Sequence, residues 1–257
     1  MSLDSHASKD VFEYVLRLGD SALIQGQRLC QWCGRAPFLE EELAILNVGL
    51  DLFGQARYWL EYAAELQGDA CTADRLAFHR DERDFRNVLL VEQPNGDYAV
   101  TMLKQFFYDA WHWQVLEGLG QSSDRRMVAI AAKAVKEVTY HLQRSSQWVE
   151  RLGNGTAYSR QRMLAATAEL WRFTAEFRTS EARENWLWIE GVAPDPTRIG
   201  SAWEHTVAST FERATLPVPP RPQPGYLNAR HGLHTEHLGL LLAEMQSLPR
   251  AYPDAVW

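Results

Sequence analysis

The chain has 257 residues, 46% of them hydrophobic, and a formal net charge of −7 with acids and bases interspersed. That length can bury a large core, and the absence of a basic patch argues against a nucleic-acid partner. No run of about 18 apolar residues is present to span a bilayer, MSLDSHASKD has no apolar signal core, and three cysteines do not make a disulfide framework, so a reducing cytoplasm is the expected compartment.

A first helix is predicted from about Ser8 to Trp32, with Val11, Val15, Leu18, Ala22, Gln25, Leu29 and Trp32 as its stripe. Pro37 opens a second that runs to Gly68. Its expected core line is Leu39, Leu43, Leu46, Leu50, Phe53 and Leu60, the spacing that packs helices nearly parallel. Residues 69–97 read as a long crossover holding a short helix from Thr72, the charged run RDERDFRN and the turn EQPNGD. Asp97 caps a third helix, Tyr98 to Leu119.

The fourth helix, Ser123 to Leu152, is capped by Ser122 or Ser123 and stopped by Gly153, with Met127, Ala131, Ala134, Val138, His141, Ser145, Trp148 and Leu152 on its inner face. A fifth is expected from Ser159 to about Phe177, followed by a looser helical segment over 178–191. Asp195-Pro196 starts another helix that reaches about Ala214. Five prolines make residues 216–225 an extended connector. A last helix runs from Thr235 to Leu248 and stops at Pro249. The expected fold is all-α: a bundle of four long antiparallel helices with additional C-terminal helices around it. It is read as a single domain over 1–257, with the core bundle at about 8–152 and peripheral helices at about 156–257. One long crossover between two hairpins is the connection ferritin-like bundles have.

Such bundles can hold two irons with a Glu or Asp from two helices and a Glu-x-x-His pair from each of the other two. The third helix offers Asp109-x-x-His112 and the fourth offers Glu137. Three residues after Glu137 stands Tyr140; His141 comes one step late, a rotation of about 100° round the helix. The second helix has no histidine. The two-fold ligand set therefore cannot be assembled, and Asp109, His112, Glu137 and His141 read as degenerate di-iron positions, paired or hydrogen-bonded in the core. The expectation is no catalytic, cofactor or metal residue in this chain.

Three further clusters are weighed. His231, His234 and His237 with Glu236 could bind a metal, though the spacing suits helix capping or an interface better. Cys30-x-x-Cys33 lies at a helix C-terminus, the wrong end for thiolate chemistry, and reads as structural. Arg80, Arg83 and Arg86 could meet phosphates or a partner, but amid Asp81, Glu82 and Asp84 they read as a solvated salt-bridge face.

The strings LEEELAILNVGLDLFGQAR, FHRDERDFRNVLLVEQPNGDYAVT, GLHTEHLGLLLAEMQ and RLGNGT resemble the C subunits of bacterial ring-1,2-phenylacetyl-CoA epoxidases. The likeness runs from about Val11 to Trp257. It implies a ferritin-like fold and a structural, metal-free role in a phenylacetate degradation oxidoreductase. The di-iron centre and most of the phenylacetyl-CoA contacts would belong to a catalytic A subunit, with a small B subunit and a reductase completing the complex. An interface of over ~2,000 Å² is expected for such an obligate partner, drawing on the second and third helices and the faces around Trp59, Trp111 and Trp113. The competing readings are a metal-dependent ferritin-like oxidase using Asp109, His112, Glu137 and His141, and an isolated helical binding module.

Overall fold

A computed structural model describes residues 5–223, 225–253 and 255 of the chain. The fold is all-α, the ferritin-like class expected: long helices joined by shorter ones, with no β-strand among the described residues beyond an isolated bridge between Asn228 and Leu233. Two compact units divide it, Met1–Pro94 with Tyr226–Trp257, and Asn95–Gly225. Among the described residues no helix is long and apolar enough to cross a membrane.

The first unit is built on a hairpin of α1 (Ser5–Cys30) and α2 (Leu39–Gln67). The predicted stripe of α1 is its buried face as far as the helix runs: Val11, Val15, Leu18, Ala22, Gln25 and Leu29 are sealed from solvent, while Trp32 lies past the helix end and is half-buried. The helices come close where glycine permits. A Cβ on Gly49 would sit 2.9 Å from Cys30 Sγ, and one on Gly26 would sit 3.1 Å from the Gly49 carbonyl oxygen.

That contact fixes the rotation of α2 and overturns its predicted core line except at Leu60, which is 2% exposed. Ile45, Val48, Leu52, Ala56, Trp59 and Ala63 are buried. Leu39, Leu43 and Leu50 are 68%, 53% and 62% exposed, and Leu46 and Phe53 are half-buried. The helix carries two apolar lines, and the small-residue contact with α1 selects the one that turns inward.

Beyond α2 the chain returns along α1 through α3 (Ala73–Phe78), a 3₁₀ turn at Glu82–Asp84 and α4 (Leu89–Glu92). Polar side chains of α1 hold this strap. Asp20, buried completely, accepts from Arg80 Nη1 (3.0 Å), from Arg80 Nη2 and from the Arg86 backbone N–H (2.8 Å). Arg86 Nε donates to Glu13 at 2.7 Å, and Ser21 Oγ accepts from the Val88 N–H at 3.1 Å. The arginines read as a solvated face are thus divided: Arg80 and Arg86 tie the strap to α1, and only Arg83 is exposed. A guanidinium matches a carboxylate in a planar fork, so a buried Asp recruits arginine from a charged run rather than leaving it in water.

Gly232 packs against the same strap. It adopts φ +68°, and a Cβ there would stand 2.0 Å from the Arg83 carbonyl oxygen. Gly232→Ala combines left-handed strain with a backbone clash and is expected to lose about 1–3 kcal/mol. A lower urea midpoint at unchanged m-value is the measurement. α10 (Glu236–Met245) is followed by α11 (Ser247–Ala251). Pro249, expected to end the last helix, sits instead in the first turn of α11, where its missing N–H costs nothing.

In the second unit α5 (Tyr98–Leu119) is the central helix, buried on every side from Ala99 to His112. Its start matches expectation because Asp97 accepts from the Val100 N–H at 3.0 Å. α6 (Arg125–Gly153) packs against it, followed by α7 (Ala157–Leu170), a 3₁₀ stretch Trp171–Arg178, α8 (Asn185–Ile189) and α9 (Pro196–Arg213). The cap of α6 is Asp124, not Ser122 or Ser123: its Oδ1 takes the N–H groups of Arg126 (2.8 Å) and Met127 (3.1 Å). Gly153 lies inside the helix, and a Cβ there would meet the Ala214 carbonyl oxygen at 2.4 Å.

The predicted fifth helix starts two residues early, at a capping box of Thr156 and Ser159, and tightens to 3₁₀ at Trp171. Asp195-Pro196 caps α9 as expected, with the Thr197 N–H on Asp195 Oδ1 at 2.8 Å. Phe107, Trp171, Phe177, Trp203 and Phe211 form one aromatic cluster. The proline-rich connector is extended, held by Trp171 Nε1 on the Pro220 carbonyl (2.7 Å) and by Arg221 on Glu204; its Pro224 lies outside the described residues.

Candidate functional site

Residues 105, 108, 109 and 112 recur on one face of α5, which is why Asp109 and His112 point into the core. Asp109 is 1% exposed, His112 1% and His141 of α6 0%. Asp109 Oδ2 accepts from Ser145 Oγ at 2.8 Å, linking α5 to α6. Burial pushes the Asp109 carboxyl up to about 6, against the opposing pull of His141 and the Ser145 hydrogen bond. Burial, reinforced by nearby His141, presses the His112 imidazole down to about 3. Among the described residues, both His112 nitrogens and the Tyr108 hydroxyl have no hydrogen-bond partner. His112 instead packs against the rings of Tyr108 (centroids 5.0 Å apart) and Trp111 (6.4 Å).

Glu137 is half-buried on α6, and Tyr140, at the register a ligand histidine would need, is 55% exposed. Among the described residues no three His, Cys, Asp or Glu side chains are placed to hold one metal ion. Three buried groups, one of them an imidazole surrounded by aromatic rings, do not fit a carboxylate-bridged pair of irons, which needs six donors.

The raised Asp109 pKa makes a stability prediction. The folded carboxyl binds its proton more tightly than the unfolded one, whose pKa is near 3.9. Folding therefore loses stability as pH rises from about 4 through 6, by up to about 3 kcal/mol above pH 7. Asp109→Asn keeps an oxygen for Ser145 and removes the charge. The variant is expected to unfold later than wild type at pH 7.5, with the gain vanishing by pH 4, in paired thermal melts.

The histidine cluster near the C-terminus resolves differently from its metal reading. His231 is exposed and His237 Nε2 lies 3.8 Å from Glu236. His234 is committed elsewhere, its side chain fully buried with Glu92. Nδ1 lies 2.8 Å from Glu92 Oε2, and Nε2 lies 3.0 Å from the Phe85 carbonyl oxygen. Both nitrogens face acceptors, so a ring protonated at each satisfies both. Glu92 also takes the Thr235 N–H (2.6 Å) and Thr235 Oγ1 (2.7 Å) on Oε1, and Asn87 Nδ2 (2.9 Å) on Oε2. Arg28 reaches the Glu92 carbonyl through Nη2 (2.6 Å) and Nε (3.1 Å). The hint in the sequence was a single acid closing the buried run NVLLVEQP; a charge there needs several partners.

The cysteines are free; burial, then the neighbouring Cys33, raises the Cys30 thiol pKa, which suits the structural reading. The tryptophan expectation is corrected in part. Trp59 is 0% and Trp111 7% exposed, packed in the cores of their own units, so neither offers a surface. Trp111 stacks on Phe177 with ring centroids 5.1 Å apart. Trp113 is half-buried, its Nε1 bonded to Thr139 Oγ1 at 3.0 Å.

A family model described as "Phenylacetic acid catabolic protein" matches residues 2–257. The chain is 52% identical over 244 residues to the C subunit of 1,2-phenylacetyl-CoA epoxidase from Escherichia coli (strain K12), a match that covers 95% of this chain and 98% of that relative.

Proposed function

The chain belongs to the phenylacetic acid catabolic protein family, and from that premise we propose that it is a non-catalytic structural subunit of a multicomponent di-iron oxygenase. The complex epoxidises the ring of phenylacetyl-CoA in aerobic phenylacetate degradation, in the cytoplasm. This chain pairs with and supports a catalytic subunit that holds the irons and most of the substrate contacts, alongside a small subunit and a reductase. Its two units act as one ferritin-like domain.

The observation that carries the reading is the degenerate ligand set. Asp109, His112 and His141 are sealed among aromatic rings and a serine, Glu137 stays at the edge, and α2 brings no histidine. The fold of an oxygen-activating bundle is retained and its donors are not. The test is co-expression with the cognate catalytic subunit. The two chains are expected to co-elute as one species, and the purified chain alone is expected to leave phenylacetyl-CoA, dioxygen and reductant unconverted. Turnover by the chain alone would support the oxidase reading, and a stable monomer that ignores the catalytic subunit would support the isolated module.

A further inference from the structure

We infer that the outward leucine face of α2 is the docking surface for the catalytic partner subunit, and that the partner meets it with an apolar helix face rimmed by lysine or arginine. The inference rests on the proposed function and adds the site and chemistry of the contact. At 3.6 residues per turn, Leu39, Leu43, Leu46 and Leu50 fall on one line, roughly 150° round the helix from the buried line that faces α1. With Phe38, 63% exposed, three of these leucines leave more than half of their surface in water. Exposed leucines lined up on one helix face are the kind of apolar stripe that marks an interaction site on an otherwise polar surface. A stable interface takes about 800 Å² from each partner, so the stripe supplies its apolar centre rather than its whole extent.

Charge selects the occupant. Glu40 and Glu42 flank the leucine line at the start of the helix, within about 100° of it, and the first lysine or arginine after Leu39 is Arg57. Arg57 already donates to Glu61 of its own helix at 2.7 Å. A second copy of the chain would therefore bring acid against acid along the leucine seam, within a molecule of net charge −7. A basic rim on a different chain complements it and disfavours self-association at once.

The test pairs Leu43→Glu/Leu50→Glu with Glu40→Lys/Glu42→Lys in the full chain. These are surface changes, and unchanged circular dichroism and melting temperature verify that the fold is kept. Each variant is titrated against the purified cognate catalytic subunit, and its mass in isolation is measured by light scattering. The leucine variant is expected to bind at least tenfold more weakly, and the charge-reversed variant to bind more weakly than wild type. Wild-type affinity in the leucine variant would overturn the inference while leaving the proposed function standing. A wild-type homodimer that the leucine variant abolishes would overturn it too, by assigning the face to a second copy. If wild type itself does not bind the catalytic subunit, the proposed function fails and this inference with it.

Discussion

Glu92→Ala is expected to destabilise the first unit by about 3–5 kcal/mol, the cost of removing one partner from a buried charge network. The carboxylate takes four donors: the Thr235 amide and hydroxyl, Asn87 Nδ2 and the His234 ring. Truncation leaves all four facing a cavity, and a buried donor without an acceptor costs more than the bond it made. Glu92→Gln should fall in between, since its amide keeps one acceptor oxygen and turns an NH₂ toward groups that are themselves donors. Residues 85–92 and the start of α10 meet at this network, with Arg28 bridging the Glu92 and His237 carbonyls. Amide hydrogen exchange is therefore expected to rise in both segments together. A denaturant midpoint within about 0.5 kcal/mol of wild type would show that the network does not hold the strap.

Asp20→Ala is expected to cost a similar amount, about 3–5 kcal/mol. Asp20 has no solvent exposure, and it binds both Nη atoms of Arg80 and the Arg86 amide. Without it, Arg80, whose side chain is 12% exposed, keeps its charge and loses its counterion. Arg80→Leu in the same background should recover part of the loss, because replacing both members of a buried pair with apolar groups avoids the orphaned charge. The double-mutant cycle should give a coupling of about 1–3 kcal/mol. Additive losses would mean that Arg80 and Asp20 act independently.

What the sequence disclosed follows from the range of the forces involved. The starts of α5 and α9 are set by Asp97 and Asp195-Pro196, side chains within three residues of the amides they cap, and these were legible. The cap of α6 was missed by one or two residues because Ser122, Ser123 and Asp124 are all competent caps, and Asp124 is the one that reaches two amides. The inner face of α2 was misread because two apolar lines share the helix, and only the approach of Gly26 and Gly49 decides between them. The partners of Glu92 and Asp20 were not legible at all. His234 is 142 residues from Glu92, and Arg80 is 60 from Asp20, so no local pattern links them. Around Asp109, His112 and His141, the absence of histidine from α2 and the step from Tyr140 to His141 were visible as spacing. The isolation of His112 among Tyr108 and Trp111 was not, since ring packing depends on tertiary fit.

The most direct test of the structural role is iron quantitation on the assembled complex, followed by separation of the chains under non-chelating conditions and metal analysis of each. Iron is expected to travel with the catalytic subunit, leaving this chain with far less than one iron per molecule. About two irons bound to this chain, lost together on Asp109→Asn and His141→Phe, would contradict the structural role and restore the oxidase reading.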